Sequence, residues 1–494
     1  MITKFVTLLN KFYLCSRKER EQQEYIYFPM SIYSKIDRYC LLPVADKVMH
    51  RSLYRNWKEY EANEHLSRQQ LTDIQNLKLK HLITHCYNNV PYYTRLFRSL
   101  GLTPDDFTSA ADLQKLPMLT KQMVRDNYNN LISLDISSRR YTKESTGGST
   151  GTPMQFMVDT AEWSADWASS FRAWQWYGFA LGEKMFTLGG NSLVAKKKRL
   201  TPKDIFDLYI MRNLKRSSAD VTDEAIQKHY EAFMRWQPKA MRGYGSSLVI
   251  FAEYIRKNNL PFGNLTCILT TGEILMPDYR KKLEEVFHCP VYDEYGAGDG
   301  GIKAHECQLQ DGLHISEEQC VVEIADKDGT PLPDGNIGYV LATDLNNYVF
   351  PFLRYQVGDM AYIKPDICAC GRVSRVLGQV IGRAGRLLYN KQGVPLSPTM
   401  LPIMLYKDND YHTEANCVIY NKIDRFQIRQ DKAGDIRILL KLKDPTEDHK
   451  QFDYCITNYQ NHFVGSRISL EFVDAIPLLP SGKEDYCVSE FEFK

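Results

Sequence analysis

A strand–helix–strand pattern near the middle of the chain limits the possible folds more than any other feature. Residues 267–270 (C-I-L-T) are apolar, as in a buried strand, and are followed by Gly272-Glu273. A helix is predicted over residues 277–287, because proline is favoured at the first helical position, and a second strand starts at Val291. This order predicts an α/β fold with a parallel sheet, in which ligands bind at the carboxyl ends of the strands.

A loop rich in glycine and hydroxyl side chains precedes this unit. Residues 145–153 read S-T-G-G-S-T-G-T-P, which does not suit the interior of a helix or strand. Small residues let backbone N–H groups approach an anion closely, so the loop is a candidate phosphate site, although an ordinary solvated turn explains the same residues. It is not a Walker-type P-loop, because no Gly-Lys-Ser/Thr ends it. Asp159 and Glu162 then form a capping-box pair for a helix whose aromatic stripe we assign to the core.

Two further segments place a charged side chain directly after a glycine. Residues 476–483 (I-P-L-L-P-S-G-K) end at Lys483, and a lysine on such a loop can neutralise charge that develops at a phosphate. Residues 352–359 (F-L-R-Y-Q-V-G-D) end at Asp359, whose carboxylate can accept hydrogen bonds from a ribose diol. Taken singly, each segment is an ordinary surface feature.

Composition excludes several classes of protein. The 494 residues suffice for two or three domains, and 62 basic against 60 acidic side chains leave a net charge of +2, which argues against nucleic-acid binding. No apolar run could span a bilayer and no signal-peptide pattern is present, so we expect a cytoplasmic protein without a transmembrane segment. Whether the N-terminal segment makes a peripheral membrane contact stays open. The 12 cysteines are then better read as core thiols or metal ligands than as disulfides.

The order of the motifs carries a family resemblance. Six of them follow one another along the chain: the glycine-rich loop, Gly272-Glu273, Tyr295-Gly296, Gly358-Asp359, Gly382-Arg383 and the terminal Ser-Gly-Lys. The set resembles the adenylate-forming superfamily of acyl-CoA synthetases, luciferases and peptide-synthetase adenylation domains. Four other segments are most similar to phenylacetate-CoA ligases and to CapK-type capsular polysaccharide biosynthesis proteins: residues 88–93, 116–121, 243–248 and 306–315. The resemblance covers roughly residues 35–490.

The resemblance implies an α/β fold with two domains. Residues 1–382 would form a large N-terminal, acyl-CoA-synthetase-like domain. Its first part, residues 1–100, is predicted from the residues themselves to be mainly helical, because apolar side chains recur near the helical period over residues 66–83. Residues 383–386 would form a hinge. Residues 387–494 would form a small, mobile C-terminal α+β domain that carries Lys483.

The resemblance also implies roles for individual residues. The ATP phosphates would be held by the loop residues Thr146, Gly148, Ser149, Thr150 and Gly151, with Thr150 acting in catalysis. Beside the adenine would lie Gly272, Glu273, Asp293 and Glu294. The adenylate and the acyl group would be lined by Tyr244, Gly245, Tyr295 and Gly296. The remaining roles would be Mg²⁺ binding by Asp299, ribose binding by Asp359 and Arg383, and transition-state stabilisation by Lys483. Gly298 and Gly385 depart from the family pattern, which usually has a Ser/Thr hydroxyl at the first position and often a hinge Asp at the second.

The implied reaction is activation of a small-molecule carboxylic acid. ATP and the acid would give an acyl-adenylate and pyrophosphate with the help of Mg²⁺, and the acyl group would then pass to CoA, in surface polysaccharide biosynthesis. Two alternatives stay open: transfer to a sugar or amine, and a non-catalytic nucleotide-binding partner of a polysaccharide-assembly complex. Neither the acid nor the oligomeric state can be inferred from the residues.

Four residues form a second candidate site, for a metal ion. Cys307, His314, Cys368 and Cys370 make a Cys₃His set, and Zn²⁺ prefers four such ligands in tetrahedral geometry. Their spacing alone is a weak signal, which core thiols and a surface histidine also explain. The resemblance strengthens it, because some phenylacetate-CoA-ligase-like proteins carry a structural zinc at matching positions. His305 is a competing ligand in this prediction.

Overall fold

The structure is a computed structural model that describes most of the chain before residue 384 and the core of the part after it. The described residues are 32–145, 154–189, 202–218, 223–383, 388–389, 391, 395–396, 401, 404–407, 418–420, 422–432, 434–463, 465–476 and 486–489. Helices and strands alternate through the middle of the chain, which confirms the predicted α/β class.

Residues 32–99 are largely helical, as the apolar periodicity predicts. In chain order the helices of residues 32–131 are α1 (Ile32–Ile36), α2 (Leu42–Met49), α3 (Leu53–Asn63), α4 (Arg68–Asn89), α5 (Pro91–Ser99), α6 (Lys121–Asp126) and α7 (Tyr128–Leu131), and a π-helical turn (Asp37–Leu41) joins α1 to α2. A capping box formed by Ser67 and Gln70 starts α4. Val90 has an extended backbone before Pro91, so one helix ends and the next begins there. Among the described helices, none is both long and apolar enough to cross a membrane.

The middle of the chain builds the main sheets. Its elements are β1 (Tyr141–Ser145), β2 (Gln155–Asp159), α8 (Thr160–Trp176), β3 (Met185–Gly189), α9 (Pro202–Tyr209), β4 (Asn213–Ser217), α10 (Asp223–Trp236), β5 (Ala240–Gly243), α11 (Gly245–Lys257), β6 (Cys267–Thr271), α12 (Pro277–Phe287), β7 (Val291–Ala297), β8 (Ile302–Glu306), β9 (Leu313–Ile315), β10 (Cys320–Ala325), β11 (Gly338–Asp344), β12 (Tyr355–Ala361), β13 (Val376–Leu377) and β14 (Gly382–Arg383). The predicted strand at 267–270, the helix at 277–287 and the strand from Val291 are therefore confirmed.

One eight-stranded sheet organises this part, in the order β13-β9-β8-β7-β6-β5-β3-β4. Strands β4, β3, β5, β6 and β7 are parallel, and β8, β9 and β13 continue the sheet antiparallel. Helix α8 packs on one face through Phe171 and Trp174, which confirms that its aromatic stripe belongs to the core. Helices α10, α11 and α12 cover the other face. A second, antiparallel sheet has the order β10-β11-β12-β14.

The predicted capping box of α8 is only half formed. Asp159 accepts a hydrogen bond from the backbone N–H of Ala161 at 3.0 Å, so it caps the helix as predicted. Glu162 instead points into the core, where burial raises its pKa well above the ordinary value. The nearby negative charge of Asp344 acts in the same direction.

The C-terminal part forms a small α+β unit. Its elements are β15 (Leu388–Tyr389), β16 (Pro395–Leu396), β17 (Ile423–Lys432), β18 (Asp435–Leu442), α13 (Tyr454–His462), β19 (Arg467–Phe472) and β20 (Cys487–Ser489). Strands β17 and β18 form an antiparallel hairpin with Gly434 in its turn, at a φ of 77°. The four-stranded sheet has the order β19-β18-β17-β20, with Phe452, Cys455 and Tyr459 buried in the core around it.

The π-helical turn contains a buried carboxylate that should make stability depend on pH. Both carboxylate oxygens of Asp37 are buried, with no hydrogen-bond partner among the described residues. Burial raises the pKa of Asp37 from 3.8 to about 7, and the nearby charge of Arg212 offsets this only in part. Because the pKa is raised in the folded state, the protein is most stable where Asp37 is protonated. This stability is lost as the pH rises from about 4 through 7.

We therefore expect Asp37→Asn to stabilise the protein at pH 8 and to have little effect at pH 4. The gain is limited to a few kcal/mol, because each pH unit between the two pKa values corresponds to about 1.4 kcal/mol. Thermal unfolding measured from pH 4 to 8 checks this. Asp73→Asn, at an exposed position of α4, is the matched control and should follow the wild type throughout. Parallel stability curves for all three proteins would contradict the prediction.

Candidate active site and metal site

Three of the predicted site segments meet at one edge of the main sheet. Strands β5, β6 and β7 are parallel neighbours, so residues 243–245, Gly272-Glu273 and Tyr295-Gly296 lie at their carboxyl ends. Oε2 of Glu273 accepts hydrogen bonds from the backbone N–H and the hydroxyl of Ser246, at 3.1 and 2.8 Å. These bonds tie the loop after β6 to the start of α11. Gly243 must be glycine, because a Cβ there would lie 1.9 Å from the carbonyl oxygen of Leu188.

Asp359 adjoins this edge from the second sheet. Its Oδ2 accepts a hydrogen bond from the hydroxyl of Tyr295 at 2.8 Å. Asp359 and Arg383 are directly opposed in the antiparallel pair of β12 and β14. The two residues that the resemblance assigns to the ribose are therefore neighbours in the fold, although they are far apart in sequence. The structure describes the backbone of Arg383 but not its side chain.

Asp299 lies in the turn between β7 and β8 and is oriented by a buried tyrosine. The hydroxyl of Tyr355 donates to Oδ2 of Asp299 at 3.0 Å. Gly301 in the same turn has a φ of +67°, and a Cβ there would lie 2.4 Å from Cγ of Asp344, so only glycine fits. Sequence reasoning missed Tyr355. A tyrosine in a strand carries no signal of a contact with a residue 56 positions away.

The carboxylates of Asp293 and Glu294 lie on opposite faces of β7, because successive strand residues alternate. Glu294 is buried, and it accepts hydrogen bonds from Nε of Arg242 at 2.8 Å and from the indole N–H of Trp174. Burial alone would raise its pKa, but the positive charge of Arg242 and other groups lowers the pKa below the ordinary value. Asp293 accepts from the hydroxyl of Thr270 at 2.7 Å, and burial raises its pKa. Both carboxylates thus have partners within the protein, and their place beside the adenine stays a prediction.

The four predicted metal ligands converge. One ligand atom each of Cys307, His314, Cys368 and Cys370 lies within 4.8 Å of every other, and all four residues are buried. Sγ of Cys307 is 3.7 Å from Sγ of Cys368, and Sγ of Cys370 is 3.3 Å from Nε2 of His314. Tetrahedral zinc with Zn–S bonds of about 2.3 Å requires sulfur atoms about 3.8 Å apart, so the donor set and its dimensions fit Zn²⁺.

The surroundings of this cluster support its geometry. Nδ1 of His314 is 3.0 Å from the hydroxyl of Ser374, a contact that fixes the imidazole ring and leaves Nε2 facing the thiols. Cys368 and Cys370 lie in a turn that ends at Gly371, which has a φ of 84°. His305 is not part of the cluster. It lies in β8 with Nε2 3.9 Å from Oε1 of Glu294, and burial lowers its pKa to about 3, so the ring is neutral.

The cluster lies away from the strand ends of the candidate active site. Strand β8 runs antiparallel to β7, with Ala297 paired to Ile302 and Glu294 paired to His305. Cys307 therefore lies level with the early part of β7, about 13 Å along the strand from Gly296 at roughly 3.3 Å per residue. Such a position suits a structural ion and not one that contacts the substrate.

Comparison with known proteins identifies the relatives of the chain. No protein-family model matches it. Protein CapK of Staphylococcus aureus is 24% identical over 430 residues, which cover 85% of this chain and 90% of that protein. The phenylacetate-coenzyme A ligase of Thermus thermophilus is 26% identical over 357 residues (69% and 76% of the two chains), and that of Escherichia coli is 28% identical over 343 residues (67% and 75%). The chain is a homologue of phenylacetate-CoA ligases and of CapK.

A solved structure confirms the predicted fold. The 2-hydroxyisobutyryl-CoA ligase, in its postadenylation state, superposes with a TM-score of 0.66 at 17% identity, over 82% of this chain and 86% of that one. The same enzyme in its thioesterification state gives 0.57. The fold is therefore that of the adenylate-forming ligases, with a large N-terminal and a small C-terminal domain. The curated relatives support the predicted enzyme class, an AMP-forming ligase similar to phenylacetate-CoA ligase.

Several residues that the resemblance assigns to this ligase lie outside the described residues. They are the phosphate-loop residues Thr146, Gly148, Ser149, Thr150 and Gly151, the hinge residues 384–386, and the catalytic candidate Lys483. The roles of these residues stay predictions.

Proposed function

We propose that this protein activates a carboxylic acid with ATP, forming an acyl-adenylate and pyrophosphate, and then transfers the acyl group to CoA. The observation that carries the proposal is the meeting of Tyr295, Asp359 and the start of α11 at the carboxyl ends of three parallel strands. Ligands of α/β sheets bind at such an edge. The phenylacetate-coenzyme A ligases among the relatives support the choice of CoA.

In this proposal the protein acts by positioning and by electrostatics. The substrate carboxylate is already the nucleophile, so the reaction needs no general base. Most of the rate acceleration would come from holding ATP and the acid in the reactive geometry. Asp359 would accept hydrogen bonds from the ribose hydroxyls, with its orientation fixed by Tyr295. Asp299, held by Tyr355, presents a hard oxygen ligand of the kind that Mg²⁺ prefers. Mg²⁺ would neutralise phosphate charge, and Lys483 would stabilise the charge that develops at the α-phosphate.

The two half-reactions would use different positions of the C-terminal unit. We propose residues 1–382 as the large domain, residues 383–386 as the hinge and residues 387–494 as the small domain. Rotation about the hinge would withdraw Lys483 after adenylation and admit the thiol, since two reactions at one site require the catalytic groups to be exchanged. The four-stranded sheet of β17–β20 forms the core of the unit that would carry the lysine.

The similarity to CapK supports a role in the synthesis of capsular or other surface polysaccharide. In that pathway the acyl group would pass from CoA to a glycan through a separate transferase. A second candidate function keeps the adenylation and sends the acyl group directly to a sugar or amine. The CapK name supports both versions equally, so the acceptor must be decided by experiment.

The deciding experiment separates the two half-reactions. ATP–pyrophosphate exchange measured against a panel of carboxylic acids identifies the acid, and exchange with none of them would contradict the adenylation proposal. CoA is then added with the best acid, ATP and Mg²⁺. Faster AMP release with an acyl-CoA product is the expected result. An acyl-adenylate that accumulates unchanged with CoA but is discharged by a nucleotide sugar would overturn the CoA assignment.

Two tyrosines allow the proposed roles of Asp299 and Asp359 to be tested separately. Tyr355→Phe removes one hydrogen bond from the Asp299 carboxylate, and a hydrogen bond to a charged group is worth about 1.5 kcal/mol or more. We expect the Mg²⁺ concentration for half-maximal exchange to rise about tenfold. Tyr295→Phe, the matched control, should instead raise the KM for ATP. Identical effects of the two variants on both parameters would contradict these separate roles.

A further inference from the structure

The first helical segment of the described chain has an exposed apolar face. Residues at intervals of four point outward, with exposed fractions of 79% for Ile32, 47% for Ile36, 63% for Val44 and 72% for Val48, and Cys40 between them is also exposed. In an α-helix a four-residue step overshoots one turn by roughly 40°, so such a row drifts around the helix. The π-helical turn holds more residues per turn and offsets part of that drift.

Tyrosines widen this face. Tyr33 and Tyr39 are 42% and 43% exposed beside the row. The hydroxyl of Tyr33 donates to the carbonyl oxygen of Tyr209 at 3.3 Å, and Tyr209, at the end of α9, is itself 59% exposed. We call this surface the outer patch; it consists of Ile32, Tyr33, Ile36, Tyr39, Cys40, Val44, Val48 and Tyr209. It is larger than the isolated exposed apolar residues that are normal on a protein surface.

The charges of the helical segment are divided between its two sides. Its acidic residues, Asp37 and Asp46, are buried on the inner side, whereas Lys35 and Lys47 are exposed. An apolar stripe with tyrosines at its edges and exposed lysines is the arrangement of a helix that lies in a membrane interface. There the apolar side chains enter the acyl boundary, and the lysines contact anionic headgroups.

We propose that the outer patch binds the surface of an anionic lipid bilayer. Charge favours this occupant over two others. A symmetric dimer through the patch would bring Lys35 and Lys47 of one copy toward the same positive rim of the other. The preceding residues 1–31 are an unsuitable cover, because five basic against three acidic side chains leave them net positive. Their apolar and basic composition instead suits the same anionic surface. The inference concerns where the protein lies and does not depend on the proposed reaction.

Flotation of the full-length protein with lipid vesicles tests the proposal. We expect binding to vesicles of phosphatidylcholine with phosphatidylglycerol, weaker binding at high salt, and little binding to phosphatidylcholine alone. Lys35→Ala with Lys47→Ala should weaken binding about 30-fold, at roughly 1 kcal/mol for each lysine near the surface. Val44→Asp with Val48→Asp should weaken it at least as much, because charged side chains would enter the apolar region.

A control variant and a second measurement make the result decisive. Leu134→Asp replaces another apolar side chain, 71% exposed and outside the patch, and should bind vesicles like the wild type. Thermal unfolding of each variant shows that the fold is retained. The proposal is overturned if the wild type fails to bind anionic vesicles, or if the patch variants bind them as tightly as the wild type. It is also overturned if light scattering shows a wild-type dimer that the Val44→Asp/Val48→Asp variant dissociates.

Discussion

Replacement of Lys483 by alanine should lower acyl-adenylate formation by about two to three orders of magnitude, the usual effect of removing one group that stabilises transition-state charge. We expect this loss because the Lys483 side chain is proposed to lie at the α-phosphate during adenylation, and only then. The measurement is ATP–pyrophosphate exchange with the preferred acid. Formation of the thioester from pre-made acyl-adenylate and CoA should be nearly unchanged, because the lysine would have been withdrawn by then.

The control for this prediction is a lysine of the same unit. Lys450→Ala, at an exposed position before α13, should leave both half-reactions at wild-type rates. Equal losses of adenylation and thioester formation in Lys483→Ala would contradict the proposed exchange of catalytic groups. A normal exchange rate would contradict the assignment of Lys483 itself, which rests on its place in the Ser-Gly-Lys motif after β19.

Local patterns predicted the elements around the site. Strand β6 and helix α12 have the bounds expected from the apolar run and from Pro277, apart from one residue at the end of β6. Such elements depend on residues that are close in sequence, so a single sequence contains the required information. The proposed position of the candidate site, at the ends of parallel strands, rests on the same pattern.

Contacts between distant residues could not be predicted from these patterns. Glu294 is paired with Arg242 and Trp174, which lie 52 and 120 positions away. Tyr355 reaches Asp299 across 56 positions. Which face of β7 a carboxylate occupies depends on the register of the whole sheet, and a shift by one residue would exchange Asp293 and Glu294.

The metal cluster was predictable for a different reason. Thiol and imidazole groups that bind one ion must lie close together in the fold. A set of Cys and His residues can therefore indicate a contact even where the residues are far apart in sequence. Ser374, which contacts His314, has no such signal, because a serine hydroxyl fits many surface turns. Spacing and resemblance thus indicated the four ligands, and the structure was needed to find the residue that orients them.

Cys368→Ser should remove zinc and lower the stability of the protein by several kcal/mol. Binding of a structural zinc ion supplies folding free energy, about 10–16 kcal/mol in small zinc peptides, and a large domain retains its hydrophobic core when the ion is lost. The ion would join the end of β8 to the turn between β12 and β13, at a distance from the nucleotide. We therefore expect a large fall in the thermal unfolding temperature and a smaller change in ATP affinity. Chelator treatment of the wild type should have the same two effects.

Elemental analysis provides the independent check on this prediction. Protein purified without a chelator should contain about one zinc per chain, and Cys368→Ser should contain much less. Cys289→Ser changes a buried thiol outside the cluster and should keep its zinc, which separates loss of the metal from the cost of a serine in the core. If the wild type contains no zinc, or if Cys368→Ser keeps both its zinc and its unfolding temperature, the four residues are core thiols beside a buried histidine and the structural-ion proposal is wrong. If the metal is lost and ATP affinity falls as much as stability, the ion acts on the nucleotide site instead of on the fold.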